Sequence, residues 1–146
     1  MNVLEKCLDM LMAIVIMFLL PLLFYGGNSR VLRSVSAGVA CENFLQRVST
    51  AGTITLPVWK ELEDSLERFN CDTFELRREY SLWEPGGEIG SVTEQCYIDE
   101  KETLLQEIQT EGFVGLHRGD RLQVTFYTDG FPTVYYSVVR SEGKTE

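Results

Sequence analysis

Reactive side chains are scarce in this sequence. It contains one histidine, His117, and any Ser-His-Asp or Cys-His catalytic site would have to use it. His117 lies in "GLHRGD", which is typical of a turn before a strand, so we expect a solvent-exposed residue. The "RGD" in this turn matches an integrin-binding tripeptide, but a turn-forming Gly-Asp pair accounts for it without a receptor. The sequence therefore indicates a protein that is not an enzyme.

Basic residues are also few. The chain has 13 Lys and Arg against 22 Asp and Glu, a net charge of -9, and its longest basic run is Arg77-Arg78. A nucleic-acid surface needs clustered positive charge to neutralise phosphates, so nucleic acid is excluded as a partner. The carboxylate clusters lie on helix faces turned away from the apolar residues, where we expect them to be solvated.

The four cysteines show no CxxC spacing, so neither a zinc site nor any other metal or cofactor is expected. Outside the cell, Cys71 and Cys96 could form a disulfide. Three pairings of the four cysteines are open, however, and buried free thiols are an equal alternative.

One long apolar run, "MLMAIVIMFLLPLLFYGG" (10–27), is present without a charged residue. A bilayer core needs ~17–25 apolar residues in a helix, whereas a secretory signal has a run of roughly 7–15 followed by small residues. The next residues, "NSRVLRS", provide no such cleavage site. We therefore expect a retained membrane helix over about residues 8–27, with a cleaved signal as the alternative.

The charges that flank this segment disagree with the composition of the rest of the chain. Arg30 and Arg33 follow the segment, while Lys6 before it is offset by Glu5 and Asp9. The positive-inside tendency would place the C-terminal part in the cytoplasm, but the acidic body is typical of an exported domain. We expect a single-pass protein of the cell membrane with an extracellular C-terminal domain.

The helical pattern continues beyond the apolar run. Pro21 and the Gly26-Gly27 pair predict an interruption, because proline removes a helix hydrogen bond and glycine weakens a helix. Valines at three- and four-residue spacing then predict one long helix over residues 1–52. Small residues on this helix permit close packing and include Ser34, Ser36, Ala37, Gly38 and Ala40.

Residues 53–146 predict a small α+β domain. "TLPVWKELEDSLERF" and "EKETLLQEIQ" indicate amphipathic helices, with Thr55 and Asp99 as candidate caps and Gly112 as the end of the second helix. "FELRREYSLW" alternates as a strand with Arg78 as the exception, and "EPGGE" predicts a turn to a second strand. "RLQVTFYT" and "TVYYSVVRS", joined by "DGFP", predict a hairpin. We expect an antiparallel sheet packed on the exposed half of the first helix.

A long N-terminal helix with Glu5, an internal Pro21 and an α+β domain behind it resembles type IV pilins and pilin-like proteins. "RVSTAGTITLPVWKELEDSLERFN" is similar to the segment after the first helix in minor pilins of tight-adherence systems. There, small residues lead into a Gly-x-Ile-Thr turn and an amphipathic helix. The matching residues here are Ala51, Gly52, Ile54, Thr55, Val58, Trp59, Leu62 and Leu66. "EGFVGLHRGDRLQVTFY" fits the same pattern of helix end, short turn and strand.

The resemblance implies a structural subunit of a cell-surface filament, with the membrane, other copies, other pilins and the pilus assembly machinery as partners. Glu5 would pair with the N-terminal amine of a neighbouring subunit. Lys6 replaces a tyrosine common in major tight-adherence subunits, so a minor or atypical subunit is expected. The predicted assembly residues are Glu5, Pro21, Gly26, Gly27, Ser34, Ala37, Gly38 and Ala40. The alternative is a single-pass anchored protein whose extracellular domain binds a partner without polymerising.

Overall fold

The computed structural model describes residues 3–71, 73–85 and 92–142 and confirms the α+β class, with a long N-terminal helix, two shorter helices and an antiparallel sheet. The helices and strands, numbered in chain order, are α1 (Val3–Ala51), β1 (Thr53–Thr55), α2 (Leu56–Arg68), β2 (Phe74–Pro85), β3 (Val92–Glu100), α3 (Lys101–Glu111), β4 (Phe113–Gly115), β5 (Arg121–Thr128) and β6 (Phe131–Val138).

The main sheet has four antiparallel strands in the order β3-β2-β5-β6. The β5–β6 turn is the predicted hairpin, and Asp129 and Gly130 both have positive φ, at 50° and 84°, as a tight two-residue turn requires. Most of the turn predicted at "EPGGE" falls on residues outside the described part of the chain. The short strands β1 and β4 pair in a separate ribbon that was not predicted, because three residues are too few to show an alternating pattern.

Helix α1 runs through Pro21 and the Gly26-Gly27 pair without a break, so the predicted interruption is wrong. Proline removes a single hydrogen bond from the helix, and the leucine- and methionine-rich flanks are strong helix formers. The Ser29 hydroxyl also donates to the Gly26 carbonyl oxygen at 3.0 Å. Pro21 and Gly26 are exposed, and the side chain of Glu5 and the surroundings of Gly27 lie outside what the structure describes.

The helix caps differ in part from those predicted. Thr55 is the N-cap of α2 but makes no side-chain capping hydrogen bond. The N-cap of α3 is Glu100 rather than Asp99, and the Asp99 carboxylate instead lies 3.8 Å from the Arg78 guanidinium. Gly112 ends α3 in the left-handed conformation, with φ of 87°, as predicted.

The hydrophobic core lies between the inner face of the main sheet and the second half of α1, with α2 and α3 closing its sides. Alternate residues of β2 and β5 point into it, in keeping with the period of two. The buried apolar residues of α1 recur at three- and four-residue spacing and are Ala37, Cys41, Phe44, Leu45 and Val48. The second half of α1 is therefore part of the domain and does not extend below it as a separate stalk.

Helix α1 approaches the sheet closely at Gly38. A Cβ added there would collide with the Tyr135 hydroxyl and lie 2.9 Å from Tyr135 Cζ. The Tyr135 ring is held in place because it stacks on Phe126, with ring centroids 6.1 Å apart. Ala37 is also buried in the chain's own core, whereas Ser34 and Ala40 are half-buried. A role of these residues in packing against another subunit stays a prediction.

We expect Gly38→Ala to lower the free energy of unfolding by about 1–3 kcal/mol, because the new methyl group overpacks the contact with Tyr135. Equilibrium unfolding of the full chain in urea and detergent micelles measures this change. Gly26→Ala on the same helix is the matched control, because nothing lies within 4 Å of its added Cβ.

The control should be neutral or stabilising by up to about 1 kcal/mol, as expected for glycine replacement in a helix. Adding Tyr135→Phe should recover part of the loss in the Gly38 variant. Equal effects of the two alanine substitutions would mean that α1 does not dock on the sheet at Gly38.

Candidate interaction surface

The first half of α1 presents its apolar side chains to the outside on every face. No described residue of the domain covers them, and the exposed large side chains run from Val3 through Met17 and Phe18 to Tyr25. This helix is long enough and apolar enough to cross a membrane. A signal sequence near an N-terminus would satisfy the same criterion.

The second half of α1 carries a further exposed apolar stripe, formed by Leu32, Val35 and Val39. Successive residues of an α-helix are separated by about 100°, which places this stripe on the side opposite Cys41 and Phe44, two residues buried in the core. The stripe therefore faces away from the sheet, although Val39 at its end also lines the cleft between α1 and α2. It continues the apolar surface of the first half beyond Arg30, so the two halves together form one surface that we call the outer face of α1.

An interaction that sequence reasoning missed lies on the inner side of the sheet, at Arg78. Its guanidinium is buried, and both Nε and a terminal nitrogen lie 2.9 Å from Asp120 Oδ2. The guanidinium also lies 4.5 Å from the centre of the Tyr80 ring. The sequence indicated this interaction only by the position of Arg78 among the apolar residues of an otherwise alternating strand. It did not identify Asp120 as the partner of Arg78.

The "HRGD" turn is shaped by the same carboxylate. The His117 N–H donates to Asp120 Oδ2 at 3.0 Å, and Gly119 takes a positive φ of 101° to close the turn. His117 is exposed, as predicted, with Nδ1 3.4 Å from the Arg78 guanidinium. Asp120 is only 4% exposed, so its carboxylate is turned inward and an integrin-type receptor could not reach it.

The groups around Arg78 do not form a catalytic arrangement in the described residues. A cleft of about 470 Å³ beside the turn is lined by Tyr80, Cys96 and His117 among others. Partial burial and the neighbouring Asp99 carboxylate raise the pKa of Tyr80, which keeps the phenol protonated. No serine, threonine or cysteine side chain in the described part of the chain is hydrogen-bonded to His117, as an activated nucleophile would require. Within those same residues, no group of three potential metal ligands occurs.

The four cysteines are free thiols. Cys41 and Cys71 are buried near one another, whereas Cys96 is exposed on β3, so the structure contains no Cys71–Cys96 disulfide. The alternative of buried free thiols describes Cys71 but not Cys96. Burial, together with the nearby Cys71, raises the pKa of Cys41 to about 12. The Cys41 thiol therefore stays protonated and unreactive at neutral pH.

No protein-family model, curated protein or solved structure matched this chain, so its function has to be inferred from the surfaces and contacts described above.

Asp120→Asn should lower the free energy of unfolding by about 3 kcal/mol, since it removes the nearer counter-ion of the buried Arg78 charge and leaves only the Asp99 carboxylate at 3.8 Å. Glu61→Gln is the matched control. Glu61 lies 2.6 Å from Arg47, but both side chains are more than half exposed, so the expected loss is below about 1 kcal/mol. Urea unfolding of the full chain in detergent compares the two, and a loss at Glu61 as large as that at Asp120 would contradict the structural role of the buried pair.

A water-soluble maleimide should label the exposed Cys7 and Cys96 in the folded chain but label Cys41 and Cys71 only after denaturation, because both are buried. Intact mass and peptide mapping count the labels on samples prepared with and without reductant. A disulfide at Cys96 would give the opposite result. Cys96 would then be labelled only after reduction, and the unreduced chain would be lighter than the reduced chain by the mass of two hydrogens.

Proposed function

We propose that this protein is a structural, non-enzymatic subunit of a cell-surface filament, of the minor or atypical pilin-like kind. It would assemble through the N-terminal helix, as in type IV and tight-adherence-like filaments. The observation that carries the proposal is the outer face of α1, an apolar surface that runs from the membrane-length segment past Arg30 to Val39. A soluble domain gains nothing by exposing such a surface in water, whereas a helix bundle would bury it.

The first half of α1 would hold the subunit in the membrane before assembly. On assembly, α1 helices of neighbouring subunits would pack side by side and replace lipid contacts with helix contacts. A carboxylate inside or near the bilayer is costly unless it is paired, which supports a pairing of Glu5 with the N-terminal amine of a neighbour. The absence of a break at Pro21 supports a continuous helix in the bundle.

The assembly face differs from the one expected from small residues. Because Ala37 is buried in the core and Gly38 contacts Tyr135 of the chain's own sheet, the surface available to a neighbour is the stripe of Leu32, Val35 and Val39. Larger aliphatic side chains favour interlocking packing of helices over the backbone contacts of small-residue motifs.

In this proposal the domain is extracellular, and the partners are other copies of the chain, other pilins, the membrane and the assembly machinery. The alternative is a single-pass anchor whose extracellular domain binds a partner without polymerising. Both need the membrane segment, so assembly behaviour separates them.

Shearing the native cells and measuring the intact mass of the protein in the sheared fraction and the membrane pellet tests the proposal. The chain in the sheared fraction with its apolar segment attached is the expected result. Recovery in the pellet alone would favour the single-pass anchor, and a mass lacking about thirty N-terminal residues would identify a signal peptide.

Val35→Glu should lower the amount of the protein in the sheared fraction at least tenfold, while the protein is still present in the membrane pellet. The reason is that a charge on the outer face of α1 cannot be buried between helices. Val138→Glu is the matched control, because it makes the same change at a similarly exposed valine, 51% against 57%, on the sheet. Normal filament incorporation of the Val35 variant would rule out this face as the assembly surface.

A further inference from the structure

Strand β6 lies along α1, and the two run in the same direction. Three contacts, spaced along both elements, establish this. Arg30 Nε lies 3.3 Å from Asp129 Oδ2 at the hairpin turn, Gly38 contacts Tyr135, and the backbone N–H of Arg140 donates to the Ser49 carbonyl oxygen at 2.9 Å. The order of contacts is the same on both chains, so the β5–β6 turn points toward the membrane-length end of α1.

The height of this turn above the bilayer follows from helix geometry. Arg30 lies three residues beyond the end of the apolar run at residue 27, and an α-helix rises about 1.5 Å per residue. Asp129, in contact with Arg30, is therefore about 5 Å beyond the hydrocarbon edge. Each headgroup layer is about 5–7 Å thick, so the turn lies within that layer when residues 8–27 span the core.

The side chains at the turn suit such a place. Phe131, the first residue of β6, is 78% exposed and has no role in the core. Aromatic residues are enriched where a protein meets the membrane–water interface, and Tyr25 near the end of the apolar run is exposed at a similar level. The Asp129 carboxylate is paired with Arg30, and β6 itself, "FPTVYYSV", carries no charge. Nothing in this strand would repel an anionic lipid surface.

We propose that the tip of the β5–β6 hairpin, with Phe131 at its centre, is a second membrane contact that rests in the lipid headgroup layer beside α1. This inference rests on the proposed insertion of α1 in the membrane. The contact would fix the domain against the bilayer surface while the subunit waits for assembly, and it would be lost when the subunit leaves the membrane.

Spin labels report the contact directly. The full chain, with Cys7→Ser and Cys96→Ser to remove the exposed thiols, is labelled at Phe131→Cys and reconstituted in vesicles of phosphatidylcholine with a minor share of phosphatidylglycerol. Tyr136→Cys is the matched control, because Tyr136 is 72% exposed on the same strand and lies about 17 Å farther from the turn at about 3.3 Å per residue. Met17→Cys reports insertion of α1. Relaxation by oxygen and by a water-soluble nickel chelate is measured at each position.

The expected result is a several-fold lower collision rate with nickel at Phe131 than at Tyr136, with oxygen access at Phe131 lower than at Met17, because oxygen concentrates in the hydrocarbon core. Equal nickel access at Phe131 and Tyr136, with Met17 protected, would overturn the hairpin contact and leave the insertion of α1 intact. Nickel access at Met17 would overturn the insertion itself. Labels at Phe131 and Tyr136 that are both shielded from oxygen and nickel would show that protein covers β6, which also overturns the lipid contact.

Discussion

The packing of α1 against the inner face of the sheet is the constraint on which the rest of this structure depends. Gly38 meets Tyr135 closely within this contact, and the contact determines which side of the helix is buried in the domain. Since one side of α1 is occupied in this way, only the opposite side, with Leu32, Val35 and Val39, is left for a partner. The same contact sets β6 alongside the helix and turns the hairpin toward the membrane-length end of α1. The proposed assembly face and the proposed lipid contact are thus two results of one packing arrangement.

The buried Arg78–Asp120 pair has a different part in the fold. A buried ion pair contributes little net stability compared with an apolar pair of the same size, but it is costly to break. Here it joins β2 to the turn before β5, and Asp120 also accepts the His117 N–H. The backbone of Asp120 is hydrogen-bonded to Val139 just after β6. The pair therefore favours one arrangement of the turn and the strands. Arg78, His117 and Asp120 are residue types often found in catalytic sites, but here their contacts have a structural role.

Sequence patterns predicted the elements whose signals are local. The hairpin followed from "DGFP" and the alternation on both sides of it, and α2 and α3 followed from their periodicity and from Gly112. Non-local features were not predictable in this way. Asp120 is separated from Arg78 by 42 residues, and no pattern in either segment indicates the other. The small residues of α1 indicated that another part of a protein packs closely against this helix. Sequence alone could not tell whether that part is the chain's own sheet or a neighbouring subunit, because both need small residues at the contact. The β1–β4 ribbon was missed because each strand has only three residues.

The side-by-side arrangement of α1 and β6 also has a mechanical consequence. Contacts between them extend from Arg30 and Asp129 at one end to Ser49 and Arg140 at the other, along the direction of the helix axis. A tension applied along that axis would load these contacts in shear, so that many must yield together, rather than peel them apart one after another. A fibre built from such subunits would resist extension through the domain as well as through its helical core.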